Sequence, residues 1–267
     1  MILFSTAKIN LGLFILNKRE DGYHSIASLK YPIPLSDVIE ILPADKFSFQ
    51  VIGKEIAGKL EDNLIWRAFN LMKLEYDIPD VKIILQKTIP MGAGLGGGSA
   101  NASFILRGLN DYFHLEITDD KLRDIATKLG SDCPFFIANV PQIATGKGEV
   151  LEAFDLNLKG KFIYLIDPQI HIGTAEAYSG VEPKETKFDW EELKKMNFSY
   201  WKENLINNFE ISIFPKHPEL ELLKKQLYNH GADYASMSGS GSSIFGLFGK
   251  RPELFQSEIG IHRVIEL

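Results

Sequence analysis

Cysteine is almost missing from this chain: Cys133 is the only one in 267 residues. No intramolecular disulfide can form, which fits a reducing compartment. Long apolar runs are missing as well. No stretch reaches 18 apolar residues, and the apolar opening is interrupted by Lys8 and Asn10 and lacks a basic leader, so neither a membrane span nor a signal peptide is expected. The six histidines lie far apart, without H-E-x-x-H or Cys/His spacing, which argues against a structural zinc. Positive charge is in short supply. The 29 Lys and Arg stand against 35 Asp and Glu, a formal net charge of −6, which argues against general nucleic-acid binding. An anionic ligand must then be met by local cations or backbone amides. The expectation is a soluble, cytoplasmic protein with small-molecule ligands, no nucleic-acid or membrane partner, and an oligomeric state the sequence does not encode.

Glycine, by contrast, is concentrated. The run Pro90, Met91, Gly92, Ala93, Gly94, Leu95, Gly96, Gly97, Gly98, Ser99, Ala100 carries five glycines in seven positions. Such a backbone can take positive φ angles and turn its N–H groups inward. It follows a strand pattern (Val81, Ile83, Leu85) and opens a helix with apolar Ala102, Ile105, Leu106, Leu109 and Phe113. Inward amides at a helix N-terminus make a phosphate cradle, where a surface linker would not join a strand to an amphipathic helix.

Three familiar cradles fail. Gly98, not lysine, precedes Ser99, so the Walker loop does not apply. The G-x-G-x-x-G match at Gly92–Gly97 is displaced from its strand by Lys87 to Met91, and the nearest acid, Asp111, ends the helix instead of a second strand. No H-R-D or D-F-G segment accompanies a protein-kinase loop.

Along the chain, residues 2–16 alternate as a strand with Ala7, Ile9, Leu11 and Leu13 on one face and Lys8, Asn10 and Gly12 on the other. Asp21-Gly22 marks a turn, and residues 25–42 read as further strands punctuated by Pro32, Pro34 and Pro43. Asp62 or Asn63 caps a helix with inner stripe Ile65, Ala68, Phe69 and Met72. Thr118 caps another bearing Leu122, Ile125, Ala126 and Leu129, which Gly130 stops. A hairpin turns at Gly146 to Gly148, and a β-rich block starts at Lys161. The charged stretch 181–192 reads as a solvated loop, a helix near 218–229 stops at Gly231, and strands flank the Ser/Gly run 238–243. The length suits two domains, with a boundary near residue 155: 1–155 and 156–267.

The loop Pro-x-Gly-x-Gly-Leu-Gly-Gly-Gly-Ser at 90–99, with Ala7-Lys-Ile-Asn-Leu11 and Ser238-Gly-Ser-Gly-Ser-Ser243, resembles the superfamily of galactokinase, homoserine kinase, mevalonate kinase and phosphomevalonate kinase. Asp21-Gly-Tyr-His24, Asp62-Asn-Leu-Ile65, Ser131-Asp-Cys-Pro-Phe-Phe136 and Gly146-Lys-Gly-Glu149 are similar to the branch whose acceptor is 4-diphosphocytidyl-2-C-methyl-D-erythritol. The resemblance spans residues 7 to about 248. It implies a two-domain α+β fold, a ribosomal S5 domain 2-like N-terminal domain that binds ATP and a ferredoxin-like C-terminal domain. It implies transfer of the ATP γ-phosphoryl to the acceptor's 2-hydroxyl, with Mg²⁺, in non-mevalonate isoprenoid synthesis. Rival readings are a homoserine- or mevalonate-type kinase, and a catalytically silent nucleotide-binding protein.

Residue by residue, alternatives stand side by side. Asp132 either N-caps a short helix (as Ser131 could) or, as the resemblance implies, is the catalytic base. Lys8 either reaches solvent or faces an acid, and the resemblance pairs it with Asp132 in catalysis. Pro90 to Ala100 would hold the nucleotide phosphates, with Ser99 either contacting phosphate or Mg²⁺ or capping its helix. Asn63 either caps or touches adenine. For the acceptor the resemblance assigns Asn10, Tyr23, His24, Tyr31, Lys147 and Tyr178: aromatics sandwich cytosine and His24 bonds its edge. Tyr178 is placed by position alone. An exposed Tyr beside a turn has a plain alternative as a surface residue, and Lys147 as a hairpin lysine. Cys133, with no adjoining histidine, reads as packing.

Overall fold

The computed structural model describes residues 1–53, 58–255 and 259–267. In chain order its strands are β1 (Ile2–Lys18), β2 (His24–Pro43), β3 (Ser48–Gly53), β4 (Val81–Lys87), β5 (Gln142–Thr145), β6 (Val150–Ala153), β7 (Phe162–Asp167), β8 (Tyr234–Met237), β9 (Ile244–Phe248) and β10 (Ile261–Glu266). Its α-helices are α1 (Leu64–Tyr76), α2 (Gly97–Tyr112), α3 (Asp119–Thr127), α4 (Phe135–Ala138), α5 (Thr174–Tyr178), α6 (Phe198–Asn204), α7 (Phe209–Ile213) and α8 (Pro218–Asn229). The chain forms two compact units, interleaved in sequence. The first comprises Met1–Ala7, Leu35–Ile89 and Gly96–Val140; the second comprises Lys8–Pro34, Pro90–Leu95 and Pro141–Leu267. Among the described residues no helix is long and apolar enough to cross a membrane.

In the first unit, β3 runs parallel to β4, joined by α1, and β4 is antiparallel to the second part of β2, with Ile41 opposite Ile83 and Ile39 opposite Leu85. The inner stripe of α1 is the one read from its spacing: Ile65, Ala68, Phe69 and Met72 are its buried residues. They join Ile39, Ile41, Val81, Ile83 and Leu85 and the α2 residues Ala102, Ile105, Leu106 and Leu109 in one apolar cluster. Each such side chain, fully buried, contributes about 1.5–3 kcal/mol for the larger aliphatics. The Thr118 hydroxyl accepts from the Lys121 amide at the start of α3. This helix ends at Thr127, earlier than its sequence suggests, with Lys128 right-handed. Gly130 is not left-handed; its amide only reaches back to the Ala126 carbonyl at 3.3 Å.

In the second unit a four-stranded antiparallel sheet has the order β10-β7-β9-β8. Numbered within the sheet this is 4-1-3-2, the split arrangement of ferredoxin-like folds. Tyr164 and Ile166 of β7, Met237 of β8 and Ile244 of β9 pack with Phe209, Ile213, Leu220, Leu223 and Leu227 of the helices. The β5–β6 hairpin turns at Gly146 and Gly148, both at positive φ (66° and 103°), and β5 pairs with the first part of β2.

β2 departs from the sequence reading. It is one strand of 20 residues, not several broken at prolines. Pro32 and Pro34 fall between the ladder to β5 (residues 28–30) and the ladder to β4 (residues 38–43). There a missing N–H interrupts neither of these two ladders; β1 is a third partner of β2. The α+β class expected from the sequence is the one found.

Candidate active site

Three of the sequence motifs meet in the second unit. Lys8 sits in β1 with 3 % of its surface exposed, because both faces of the strand are covered from Ala7 to Ile15. Its amide donates to the Leu95 carbonyl (3.0 Å), and its Nζ donates to Asn10 Oδ1 (2.6 Å) and the Gly94 carbonyl (2.8 Å). Burying an ammonium is costly unless oxygen acceptors surround it, and these two are supplied by its own strand and the glycine segment. The solvent-reaching alternative for Lys8 is therefore not the one adopted. Asn10 is fixed in turn: its Nδ2 donates to Ser28 Oγ (2.7 Å), which donates to the Gly12 carbonyl (2.6 Å).

The Ser/Gly run closes on the same point. Ser238 Oγ donates to the Gly94 carbonyl (2.9 Å), the Asn10 amide donates to Ser238 Oγ (3.3 Å), and the Ser243 amide donates to the Ala93 carbonyl (3.2 Å). Gly94 has φ +75°, and a Cβ there would lie 1.9 Å from the Ser238 carbonyl oxygen. Only glycine permits that approach. Gly92 is also left-handed (φ +63°), and Pro90 and Ala93 are buried while Met91 is exposed. Two residues outside the sequence reading hold the Ser/Gly run. Asn207 Nδ2 donates to the Met237 and Gly239 carbonyls (2.7 and 2.8 Å), and Glu210 Oε1 accepts from the Met237 amide (2.8 Å). Both lie in a stretch without a recognisable motif, so only the fold reveals them.

The acceptor-side residues also belong to the second unit. The His24 and Tyr178 rings stack, centroids 4.8 Å apart at 16°, and Tyr178 meets Phe209 edge-on. A base cannot fit between rings that close, so His24 and Tyr178 offer outer faces and edges. Tyr23 is 62 % exposed, and Lys147 Nζ lies 4.9 Å over its ring and 4.0 Å from Asp21. Tyr31 is half-buried, and its hydroxyl accepts from the Leu158 amide (3.2 Å). Burial raises the Tyr31 phenol above its ordinary value, against the lowering effect of that bond. The Lys147 turn is rigid: Glu149 Oε2 accepts from the Lys147 amide (2.5 Å), and buried Lys30 donates to the Gly148 carbonyl (2.8 Å).

The first unit holds the helix end of the glycine run and Asp132. Gly96 is the left-handed N-cap of α2 (φ 70°) without a side-chain cap, and the Ala100 amide makes the first helical bond to Gly96 (2.8 Å). The amides of Gly97, Gly98 and Ser99 are then the leading donors of the helix. Ser99 lies within the first turn, so it is not the cap. Asn63 does cap: its Oδ1 accepts from the Ile65 amide (2.9 Å). Asp132, partly exposed, stands in the turn before α4, whose N-cap is Pro134 with no side-chain bond. The next carbonyl, that of Cys133, accepts from Ser103 Oγ on α2 (2.7 Å), which also reaches the Ser99 carbonyl (3.0 Å). The Asp132 turn is thereby tied one helical turn behind Ser99. Cys133 itself is fully buried in the apolar cluster.

Among the described residues no group of three His, Cys, Asp or Glu could hold a metal ion. The second unit thus offers a buried ammonium on the glycine segment, and the first offers the leading amides of α2 and the Asp132 carboxylate; phosphoryl transfer uses groups of these kinds.

Comparison with known proteins agrees with this chemistry. Residues 63–141 match the family described as GHMP kinases N terminal domain, and residues 184–262 match GHMP kinases C terminal. A 4-diphosphocytidyl-2-C-methyl-D-erythritol kinase of Parabacteroides distasonis is 48 % identical over 97 % of this chain and 95 % of its own length. That of Cytophaga hutchinsonii is 47 % identical over 96 % of this chain and 95 % of its own. The crystal structure of a 4-(cytidine 5'-diphospho)-2C-methyl-D-erythritol kinase superposes with a TM-score of 0.80 at 30 % identity, covering 94 % of this chain and 91 % of that one. With matches on both sides of its middle and full-length relatives at nearly half identity, the chain belongs to the GHMP kinases, in the family of 4-diphosphocytidyl-2-C-methyl-D-erythritol kinases.

Proposed function

We propose that this chain transfers the γ-phosphoryl of ATP to the 2-hydroxyl of 4-diphosphocytidyl-2-C-methyl-D-erythritol, giving the 2-phosphate and ADP in non-mevalonate isoprenoid synthesis. The observation that carries it is the junction at Gly94, whose carbonyl takes hydrogen bonds from both Lys8 and Ser238 and so ties three kinase motifs together. Asp132 takes the proton of the attacking hydroxyl, and Lys8 stabilises the charge that develops on the transferred group. No phospho-enzyme forms. The leading amides of α2 and the glycine run hold the nucleotide phosphates, the side chain of Asn63 is spent on its helix, and the surface near it receives adenine.

Mg²⁺ accompanies ATP. Among the described residues there is no carboxylate cage, so the nucleotide phosphates and the Ser99 hydroxyl would hold the ion, which would supply neutralisation of phosphate charge. His24, Tyr178 and Tyr23 receive cytosine by stacking and edge bonding, Asn10 and Tyr31 line the acceptor, and Lys147 meets its diphosphate. Family matches on either side of residue 155 support a nucleotide-binding part before it and a C-terminal part after it, while the compact units interleave, Lys8–Pro34 and Pro90–Leu95 belonging with Pro141–Leu267. A cytoplasmic location is supported by the single, buried cysteine.

A coupled ADP-release assay with the cytidine substrate, mevalonate and homoserine tests the reading. Turnover is expected with the cytidine substrate alone. Activity only with mevalonate or homoserine rejects it, and ATP binding without turnover on any acceptor favours the silent reading. Lys8→Ala and Asp132→Asn should each lower kcat by about 100-fold or more; near-normal turnover in both removes them from the mechanism.

A further inference from the structure

We infer that Asp37 is the positioning residue that anchors the two ends of the glycine run, an inference that rests on the run being the nucleotide cradle. Five glycines in seven residues have no stiffness of their own, yet a phosphate site works only if its donors are held in place before the ligand arrives. Lys8, Ser238 and Ser243 hold its middle at Ala93 and Gly94, and its two ends are held by a carboxylate about 50 residues earlier in sequence.

Asp37 is fully buried. One oxygen, Oδ1, accepts from the backbone amides of Thr88 (2.6 Å) and Ile89 (2.8 Å), the last residues before the glycine run. The other, Oδ2, accepts from Lys87 Nζ (2.5 Å) and from Asn101 Nδ2 (2.9 Å), on the second turn of α2. Asn101 Nδ2 also approaches Ser5 Oγ (3.1 Å), so the amide is fixed on both sides. A single carboxylate therefore binds the chain entering the run and the helix leaving it. Lys87 seals the arrangement. Its Nζ would be 3.0 Å from a Cβ on Gly97, the first residue of α2, and the Ile89 side chain would be 2.9 Å away. Gly97 is thus pressed onto the end of β4 with no room for a side chain.

An ion pair this deep is a poor way to gain stability, since apolar residues of similar volume often serve as well or better. What it supplies that apolar packing cannot is direction: four donors aimed at two oxygens fix where Thr88, Ile89 and Asn101 sit, and with them the leading amides of α2. Asp37 touches neither substrate in this scheme; it acts through the amides it holds.

The test uses the full chain with Asp37→Asn and with the double change Asp37→Asn/Lys87→Met. Asparagine keeps one oxygen for the Thr88 and Ile89 amides but turns an NH₂ toward Lys87 and Asn101. The double change also removes the ammonium that would lose its carboxylate. KM for ATP should rise about tenfold or more while KM for the cytidine acceptor stays within about twofold. Hydrogen exchange at the amides of residues 100–104, the first hydrogen-bonded amides of α2, should speed up about tenfold in the absence of ligand. The double variant should regain thermal stability yet keep the raised KM for ATP, which a merely structural pair would not do. Asn101→Ala, which spares the charge pair, should show the same effect more weakly and serves if the others do not fold. An unchanged exchange rate at 100–104, or equal rises in both KM values, overturns the inference. A wild-type chain that binds ATP but phosphorylates no cytidine acceptor would instead fault the functional reading, and the exchange experiment decides on Asp37 regardless.

Discussion

Single residues divide by how far away their partners lie. The Asn63 cap and the Thr118 cap use partners two and three residues away, and both were readable as Asn or Thr before an apolar stripe. Asp37 and Lys87, 50 residues apart, and His24 and Tyr178, 154 apart, carry no local signal of their pairing. Lys8 and Asp132 stood out only because a family resemblance weighted them; by local pattern each had an ordinary alternative. Two predictions belong at this scale. Ser103→Ala removes the hydroxyl that ties the Cys133 carbonyl to α2 and leaves that buried carbonyl with one bond fewer. A loss of about 1 kcal/mol in stability is expected. Because Asp132 is the preceding residue, kcat should fall about 3- to 10-fold with both KM values nearly unchanged. A rise in KM for ATP alone would mean that Ser103 serves the loop and not the base. Tyr178→Ala, in turn, deprives His24 of its stacking partner. KM for the cytidine acceptor should rise about tenfold while KM for ATP holds steady, as stacking on one aromatic is worth about 1–3 kcal/mol. Steady-state kinetics with each substrate varied in turn separate the two.

At the level of elements, periodicity was legible and pairing was not. The α1 stripe and the β4 alternation follow from spacing alone, as does the β5–β6 hairpin from its two glycines. β2 was not legible, because prolines read as breaks until one knows that the ladders on its two halves leave a gap between them. The glycine run was legible as a cradle, but its union with the Ser/Gly run came only with the fold. That union gives a sharp prediction. In Gly94→Ala the methyl group would overlap the Ser238 carbonyl, a backbone atom that cannot swing aside as a side-chain end can, and φ +75° adds strain. Both segments must part. kcat/KM should drop by about 100-fold or more, and thermal stability should fall by about 2–4 kcal/mol. Gly98→Ala makes the control, since only Leu64, 3.9 Å away, lies near its would-be Cβ. Equal thermal stability of the two alanine variants in a melting assay would sink the account of the junction.

At the scale of the whole molecule, buried phenols are expected to set the alkaline limit of stability. Tyr234 is fully enclosed, and its hydroxyl donates to the Leu205 carbonyl (2.7 Å). Burial pushes its ionisation well above the ordinary value of 10.0, with Glu210 and Tyr228 adding to the rise. Tyr31, Tyr164 and Tyr228, all in the same unit, are raised in the same direction, again chiefly by burial. In the unfolded chain these phenols lose their protons near the ordinary value, whereas the folded chain keeps them. The folded state then binds more protons, so stability is complete below pH about 10 and declines as the pH climbs beyond it. Tyr234→Phe separates this effect from packing. Below pH 9 the variant should be less stable by about 1 kcal/mol, because the Leu205 carbonyl loses its donor while the ring contacts with Trp201 and Phe245 remain. Above pH 10 the wild type should lose stability faster than the variant, and the gap should close or reverse by pH 11. Urea midpoints measured across pH 8–11 give both curves, and parallel curves would show that Tyr234 does not govern the alkaline limit.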